Sequence, residues 1–199
     1  MISGILLAAG ESRRMGSPKA LLPYQGQTFL ERICTAFFDA GVDELIVVLG
    51  AWEDRLRPAL PRHSALRTVV NPHYTQGQLS SLVCGLGALS PDSAAAVVNL
   101  VDHPLVRTET IAALMASFRT DPLPIIIAAH QGKRGHPVLF SRQVYAELLA
   151  APLDKGAKTV VRKDPARVRH LALDDPGIVA DIDTPQDYRR WTGLTTPGS

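Results

Sequence analysis

The sequence predicts an α/β domain whose mostly parallel sheet is covered by helices. Three observations predict it. Short apolar runs alternate with amphipathic stretches along the chain, the pattern of repeated strand–helix–strand units. The most apolar run, residues 94–101 (AAAVVNLV), is almost unbroken by polar residues, as a strand buried on both faces requires. With 199 residues, 46% hydrophobic and 20% charged, the composition is that of one globular domain.

The elements follow in order. Residues 2–8 read as a buried strand, and residues 9–23 as a loop. Residues 29–40 carry apolar side chains at helical spacing (Phe29, Leu30, Ile33, Phe37), and Gly41 is a natural stop. Residues 44–49 (ELIVVL) form a second strand, 54–60 a short helix and 66–70 a third strand. A helix over 79–89 takes Ser80 as its N-cap. The strand over 94–101 belongs at the centre of the sheet, and a helix over 108–118 opens on Thr108 as cap. Strands over 125–129 and 137–140, a helix over 143–149 and a strand over 168–173 come next. The last helix starts near residue 186, with Thr184 as cap and Pro185 in its first turn. No internal repeat or linker appears, so one domain spans 1–191, and residues 192–199 read as a frayed, disordered tail.

Composition excludes several classes. The net charge is +2 and the cations are scattered, which argues against a nucleic-acid partner held on a basic face. No apolar run approaches the ~20 residues a membrane span needs. The amino terminus enters a strand directly, without a basic leader, so a cytoplasmic location is expected. Cys34 and Cys84 have no partner at metal-ligand spacing, and read as two reduced, buried thiols.

In open α/β sheets ligands collect beyond the carboxyl ends of the strands, and the informative residues fall there. After the first strand comes Leu7-Ala8-Ala9-Gly10-Glu11-Ser12-Arg13-Arg14-Met15-Gly16-Ser17-Pro18-Lys19. Small residues at Ala8, Ala9 and Gly10 let a ligand approach the backbone, so that successive N–H groups can face phosphate oxygens. Arg14 adds a bidentate fork and Lys19 a point charge, which together suit a triphosphate. Competing motifs fail: Gly16 is followed by Ser-Pro rather than Lys-Ser/Thr, G-x-G-x-x-G is absent, and Arg14 stands where a nucleophile elbow needs Gly. Asp102-His103-Pro104 follows the central strand, and a carboxylate at that end offers the hard oxygen ligand that Mg²⁺ requires.

The segment LLAAGESRRMGSPKALLP resembles the signature loop of the molybdenum cofactor cytidylyltransferase family, one of the nucleotidyltransferases with a MobA-like, Rossmann-like fold. The resemblance runs over nearly the whole chain and implies a single three-layer α/β/α domain. It also implies that residues 71–82 lie beside the nucleobase, with Asn71 and Gly77 in the nucleotide site and Ser81 at the base edge. The residue matching Asp102 would hold the metal. Asp181-Ile182-Asp183-Thr184-Pro185 would supply the second ligand, Asp183 before Asp181, while Asp187 serves as first-turn helix charge. The turn ending in Gly135-His136-Pro137 brings His136 toward the acceptor, where His103, which stands in the place of the Gln most members carry, and Asp181 are also expected. Leu153-Asp154-Lys155-Gly156-Ala157-Lys158 departs from the family's Gly-Asp-x-Gly-Ala-Arg, with Leu for Gly and Lys for Arg.

The implied activity is transfer of CMP from CTP to a phosphorylated acceptor, with molybdopterin the first choice and Mg²⁺ the cofactor, catalysed by Lys19, Arg14 and Asp102. Ala9, where a second Gly is the alternative, resembles the cytidine-specific branch. Two other acceptors stay open, methylerythritol phosphate and a sugar phosphate. A different class, a non-catalytic nucleotide-binding regulator or cofactor-insertion chaperone, also stays open. Transient contact with a molybdoenzyme receiving the product follows from the first choice.

Overall fold

The computed structural model describes residues 1–196. The first strand, β1 (Ile2–Leu7), is buried throughout, and two 3₁₀ turns break the loop after it, Arg13–Met15 and Lys19–Leu21. A small hairpin, β2 (Pro23–Tyr24) and β3 (Gln27–Thr28), turns through Gln25 and Gly26, both at positive φ, as a tight hairpin turn demands. Helix α1 (Phe29–Asp39) opens on a reciprocal capping box between Thr28 and Glu31.

Strand β4 (Glu44–Leu49) leads to α2 (Glu53–Leu56) and β5 (Leu66–Val70). Then come α3 (Gln78–Gly87), β6 (Ala95–Leu100) and α4 (Thr108–Thr120). Strands β7 (Ile125–His130) and β8 (Lys133–Ser141) form an antiparallel hairpin. The chain finishes with α5 (Tyr145–Ala150), α6 (Lys158–Arg162), β9 (Val168–Ala172) and α7 (Pro185–Thr192).

The main sheet has seven strands in the order β5-β4-β1-β6-β8-β7-β9. Only β8 runs against its neighbours, so the sheet is mostly parallel, and β6 holds its centre as its apolar run foretells. One face packs Leu30, Ile33 and Phe37 of α1 and Ile111, Leu114 and Met115 of α4. The other packs Leu79, Leu82 and Leu86 of α3 and Leu148 of α5. Helices on both faces make three layers.

Several local expectations are corrected. The N-cap of α3 is Gly77, at φ 101°, and makes no side-chain cap. Ser80 sits inside the first turn, its hydroxyl donating to the Gly77 carbonyl at 2.8 Å. The N-cap of α4 is Arg107, with Thr108 the first helical residue. The helix foreseen over 54–60 is a single α-turn continued by a 3₁₀ turn, Arg57–Ala59, that contains Pro58, since proline has no N–H to extend the ladder. Helix α6 lies where no helix was foreseen. Cys34 is buried but Cys84 only half so, and both are free thiols. Thr192 closes α7 rather than opening a frayed tail, and residues 197–199 of that expected tail lie outside the described residues. No described helix is long and apolar enough to cross a membrane.

Candidate active site

Two adjoining clefts open at the carboxyl ends of the parallel strands, sharing Leu7, Gly77 and Gln78 in their walls. The smaller, about 390 Å³, is lined by Ala9, Gly10, Arg14, Lys19, Ser81, Asp102 and Asp183, among others. Its floor follows from strand register. Leu7 faces Leu100 across the β1–β6 pair, and the Val101 amide donates to the Leu7 carbonyl at 3.1 Å. The two strands therefore end together, with the glycine-containing loop on one side and Asp102 on the other.

The loop is held from outside the cleft. A Cβ on Gly50 would lie 2.6 Å from the Ala9 carbonyl, so that glycine lets the two loops touch. The Trp52 indole donates to the Glu11 carbonyl at 2.9 Å. Ser12 adopts a left-handed conformation, φ 54°, and its hydroxyl accepts the Lys19 amide at 3.1 Å. Met15 plugs a small apolar cluster with Leu22, Phe29, Ile182 and Tyr188. By contrast, a Cβ built on Gly10 would meet nothing within 4 Å. The space above Gly10 is open for a ligand.

The acids arrive on two segments stitched together. The Ile182 amide donates to the Asp102 carbonyl at 2.9 Å, which places Asp181 and Asp183 on either side of that contact. Upstream, the Asp175 carboxylate, 2% exposed, accepts from the Arg107 amide, the Thr110 hydroxyl and the Gly177 amide. A Cβ on Gly135 would lie 1.9 Å from the Ile178 carbonyl, and one on Gly177 2.2 Å from the Leu105 carbonyl. These close approaches weld residues 175–183 onto the sheet.

Charge in the smaller cleft is nearly balanced. The Lys19 ammonium, its side chain 11% exposed, pairs with Asp183 and lies 3.5 Å from Asp102 Oδ2. Arg14, far more exposed, pairs with the other oxygen of Asp183. Burial opposes ionisation of Asp183, but the hydrogen bonds and charges of Lys19 and Arg14 outweigh it and hold its carboxyl below the ordinary carboxylate range. Asp181 is the opposite case: burial, then the charges of Asp102 and Asp183, push its carboxyl up. Asp102 Oδ1 is buried without a hydrogen-bond partner.

The larger cleft, about 960 Å³, has an apolar wall that includes Leu82, Ile127, Val138 and Phe140. Lys133, Arg134, Lys155, Lys158 and Arg162 also line it, together with His103, His136 and Asp181. The His103 and His136 rings meet at 4.9 Å. Burial, with His103 alongside, lowers the His136 imidazole to about 3, so that ring is neutral at physiological pH.

Most of the residues singled out in the sequence come together here. Leu7, Ala9, Gly10, Arg14, Lys19, Gly77, Ser81, Asp102 and Asp183 line the smaller cleft. Ala8 and Asn71 do not, being 3% exposed each. The Asn71 amide instead donates to Ser80 Oγ at 2.9 Å and Ser81 Oγ at 3.0 Å, so it positions Ser81. Sequence reasoning missed Gly50, Trp52, Met15 and Tyr188, whose contacts join segments distant along the chain. It also missed Arg162 and the basic character of the larger cleft, because these cations come from β8 and the α6 region and cluster only in space.

Comparison with known proteins identifies the family. The family model for the MobA-like NTP transferase domain matches residues 4–170. Nicotine blue oxidoreductase of Paenarthrobacter nicotinovorans is 32% identical over 200 positions, covering 95% of each chain. Molybdenum cofactor cytidylyltransferase of Escherichia coli is 27% identical over 190, covering 94% of this chain and 93% of its own. Among solved structures, Rv0371c of Mycobacterium tuberculosis superposes with a TM-score of 0.85 at 33% identity, over 97% of this chain and 98% of that one. A manganese complex of the same protein gives 0.79 at 31%, with the same coverage of each. With its loop, strand order and paired clefts in place, and a family model matched over most of its length, the chain belongs to the MobA-like NTP transferase domain family.

Proposed function

We propose that the chain transfers CMP from CTP to a small phosphorylated acceptor, molybdopterin being the acceptor favoured, with release of pyrophosphate. One observation carries this reading: Lys19, Arg14, Asp102 and Asp183 surround the open space above Gly10 in a cleft that adjoins a larger, cation-lined one. The smaller cleft suits a triphosphate and the larger an acceptor whose phosphate faces Lys and Arg. The Ala9 methyl in the wall of the smaller cleft favours cytosine.

In this reading the acceptor phosphate, ionised at neutral pH, attacks the α-phosphate in line, and no strong general base is required. Lys19 and Arg14 release Asp183 to hold the triphosphate, backbone amides of residues 9–10 face its oxygens, and Ser81, set by Asn71, meets the base. A divalent ion fits the residues present: Asp102 offers a buried, unpaired oxygen, and Asp183 becomes available once its two cations turn to phosphate. We take that ion to be Mg²⁺, held by Asp102 and Asp183, and the manganese complex of Rv0371c supports a divalent-cation site. Bound there, it would neutralise charge on the phosphates as the phosphate–phosphate bond breaks.

A second reading has its own support, the 32% identity to nicotine blue oxidoreductase, and would seat the compound oxidised or reduced against the apolar wall of the larger cleft. The deciding experiment measures pyrophosphate release with CTP, GTP, ATP and UTP against molybdopterin, methylerythritol phosphate and sugar phosphates, with reduction of nicotine blue assayed in parallel. Release that requires both CTP and molybdopterin supports the proposal. Reduction without any pyrophosphate release would replace it.

A further inference from the structure

Beside the Lys19–Asp183 pair lies a second group of polar side chains. One oxygen of Asp102, one ring nitrogen of His103 and one oxygen of Asp181 lie within 4.8 Å of one another. His103 is 7% exposed, and its Nδ1 is buried with no hydrogen-bond partner. Asp102 Oδ1 is likewise buried and unpartnered, while Oδ2 faces Lys19 at 3.5 Å. Asp181 makes no ion pair among the described residues. Buried polar atoms are almost always paired, and exceptions require a cause. Packing of His103 on His136 gives the ring a neighbour but leaves Nδ1 unpaired.

We propose that Asp102, His103 and Asp181 form a cation site for a nitrogen-accepting transition metal of the Zn²⁺ or Co²⁺ kind, in preference to Mg²⁺. Two carboxylates and one imidazole make a mixed oxygen and nitrogen set. Imidazole favours such metals, whereas Mg²⁺ takes oxygen ligands in near-ideal octahedral geometry. Three protein ligands also leave a coordination position open, as in catalytic rather than structural zinc sites. The position is informative: Asp102 lines the smaller cleft, and His103 and Asp181 line the larger. An ion on these three would stand where the clefts join, its open position available to an oxygen or sulfur atom of whatever occupies the larger one. The site shares Asp102, its unpaired Oδ1 included, with the proposed Mg²⁺ site, so the two ions would compete for that carboxylate; it rests on the cluster's geometry, independently of the transfer reaction.

Cobalt is a suitable probe, because its visible bands gain intensity and change position on nitrogen ligation in a low-symmetry site. Full-length protein stripped with a chelator would be titrated with Co²⁺, followed by absorption and calorimetry, without nucleotide. The site predicts one Co²⁺ per chain, displaced by Zn²⁺ but retained against roughly a hundredfold excess of Mg²⁺. His103→Gln and Asp181→Asn should each weaken binding about tenfold or more, while His170→Gln, which removes an exposed imidazole on β9, should leave it unchanged. Asp181 is exposed, so Asp181→Asn tests the site even if the His103 variant fails to fold. Binding that is insensitive to Asp181→Asn, or lost to equimolar Mg²⁺, would overturn the proposal. Absence of pyrophosphate release with Mg²⁺ and CTP would leave it standing.

Discussion

Single residues here separate into those the fold needs and those only a ligand needs. Gly10 belongs to the second kind, since a Cβ there meets nothing within 4 Å. Gly10→Ala should leave thermal stability unchanged or raise it slightly, because alanine narrows the unfolded ensemble, while KM for the nucleotide rises about tenfold, the cost of a methyl group set against phosphate. A loss of stability with KM unmoved would show that Gly10 serves the fold instead. Lys19→Ala and Asp102→Ala should each lower turnover by a factor of about 10²–10³, the usual range for one electrostatic contact to a transition state, with the circular dichroism spectrum retained. Asp181 carries a cost in the free protein. Its carboxyl is raised by burial and by Asp102 and Asp183, so the folded state holds that proton more tightly than the unfolded chain does. Its contribution therefore favours folding below the ordinary carboxylate range and is lost as pH rises through the raised value. Asp181→Asn should raise the melting temperature at pH 7 by about 2 °C, a small gain because the group is exposed, and the gain should vanish near pH 3. An equal gain at both pH values would rule out the charge explanation.

At the scale of elements, strands were the most legible part of the sequence, for a physical reason. A strand buried on both faces must be apolar along nearly its whole length, and Glu44–Leu49 could be bounded from that alone, whereas Leu66–Val70 lies at the sheet edge and is only partly buried. Helix starts were less legible, because a Ser or Thr near an apolar run can cap or simply lie inside the first turn, as Ser80 and Thr108 do. Thr184 does cap: its hydroxyl accepts the Asp187 amide at 3.1 Å, and Asp187 returns a bond to the Thr184 amide at 2.9 Å. This box matters beyond α7, because Asp183 precedes it directly and its own amide also points at Asp187, at 3.3 Å. Thr184→Ala should cost about 1 kcal/mol, or about 3 °C in a chain of this size, and should also raise nucleotide KM as Asp183 loses its anchor. Calorimetry alongside initial rates would check both, and a stability loss with unaltered KM would show that Asp183 is positioned by other contacts.

Over the whole molecule, the sheet brings distant segments to one edge and separates their tasks. Loop, central-strand acid and carboxyl-terminal acid meet at the smaller cleft, and their motifs were visible because each is contiguous in the chain. The larger cleft was only partly visible. His103, His136 and Asp181 stood out as motif residues, but the cations around them are single Lys and Arg residues that look like ordinary surface charge until the β8 hairpin and α6 fold over the sheet. That separation predicts independent control of the two substrates. Lys158 and Arg162 line the larger cleft and not the smaller, and both are exposed, so their replacement should not disturb the core. If they receive an acceptor phosphate, Lys158→Ala combined with Arg162→Ala should raise acceptor KM by roughly tenfold or more, since the phosphate then has two fewer charged donors at a solvent-accessible rim. KM for CTP should stay within about twofold, because the smaller cleft is unaltered. Added salt should weaken acceptor binding in the parent protein more than in the double variant, since screening acts on the charges the variant lacks. Equal salt dependence in the two proteins, with acceptor KM unmoved, would mean that the acceptor lies against the apolar wall and that the basic rim serves something else.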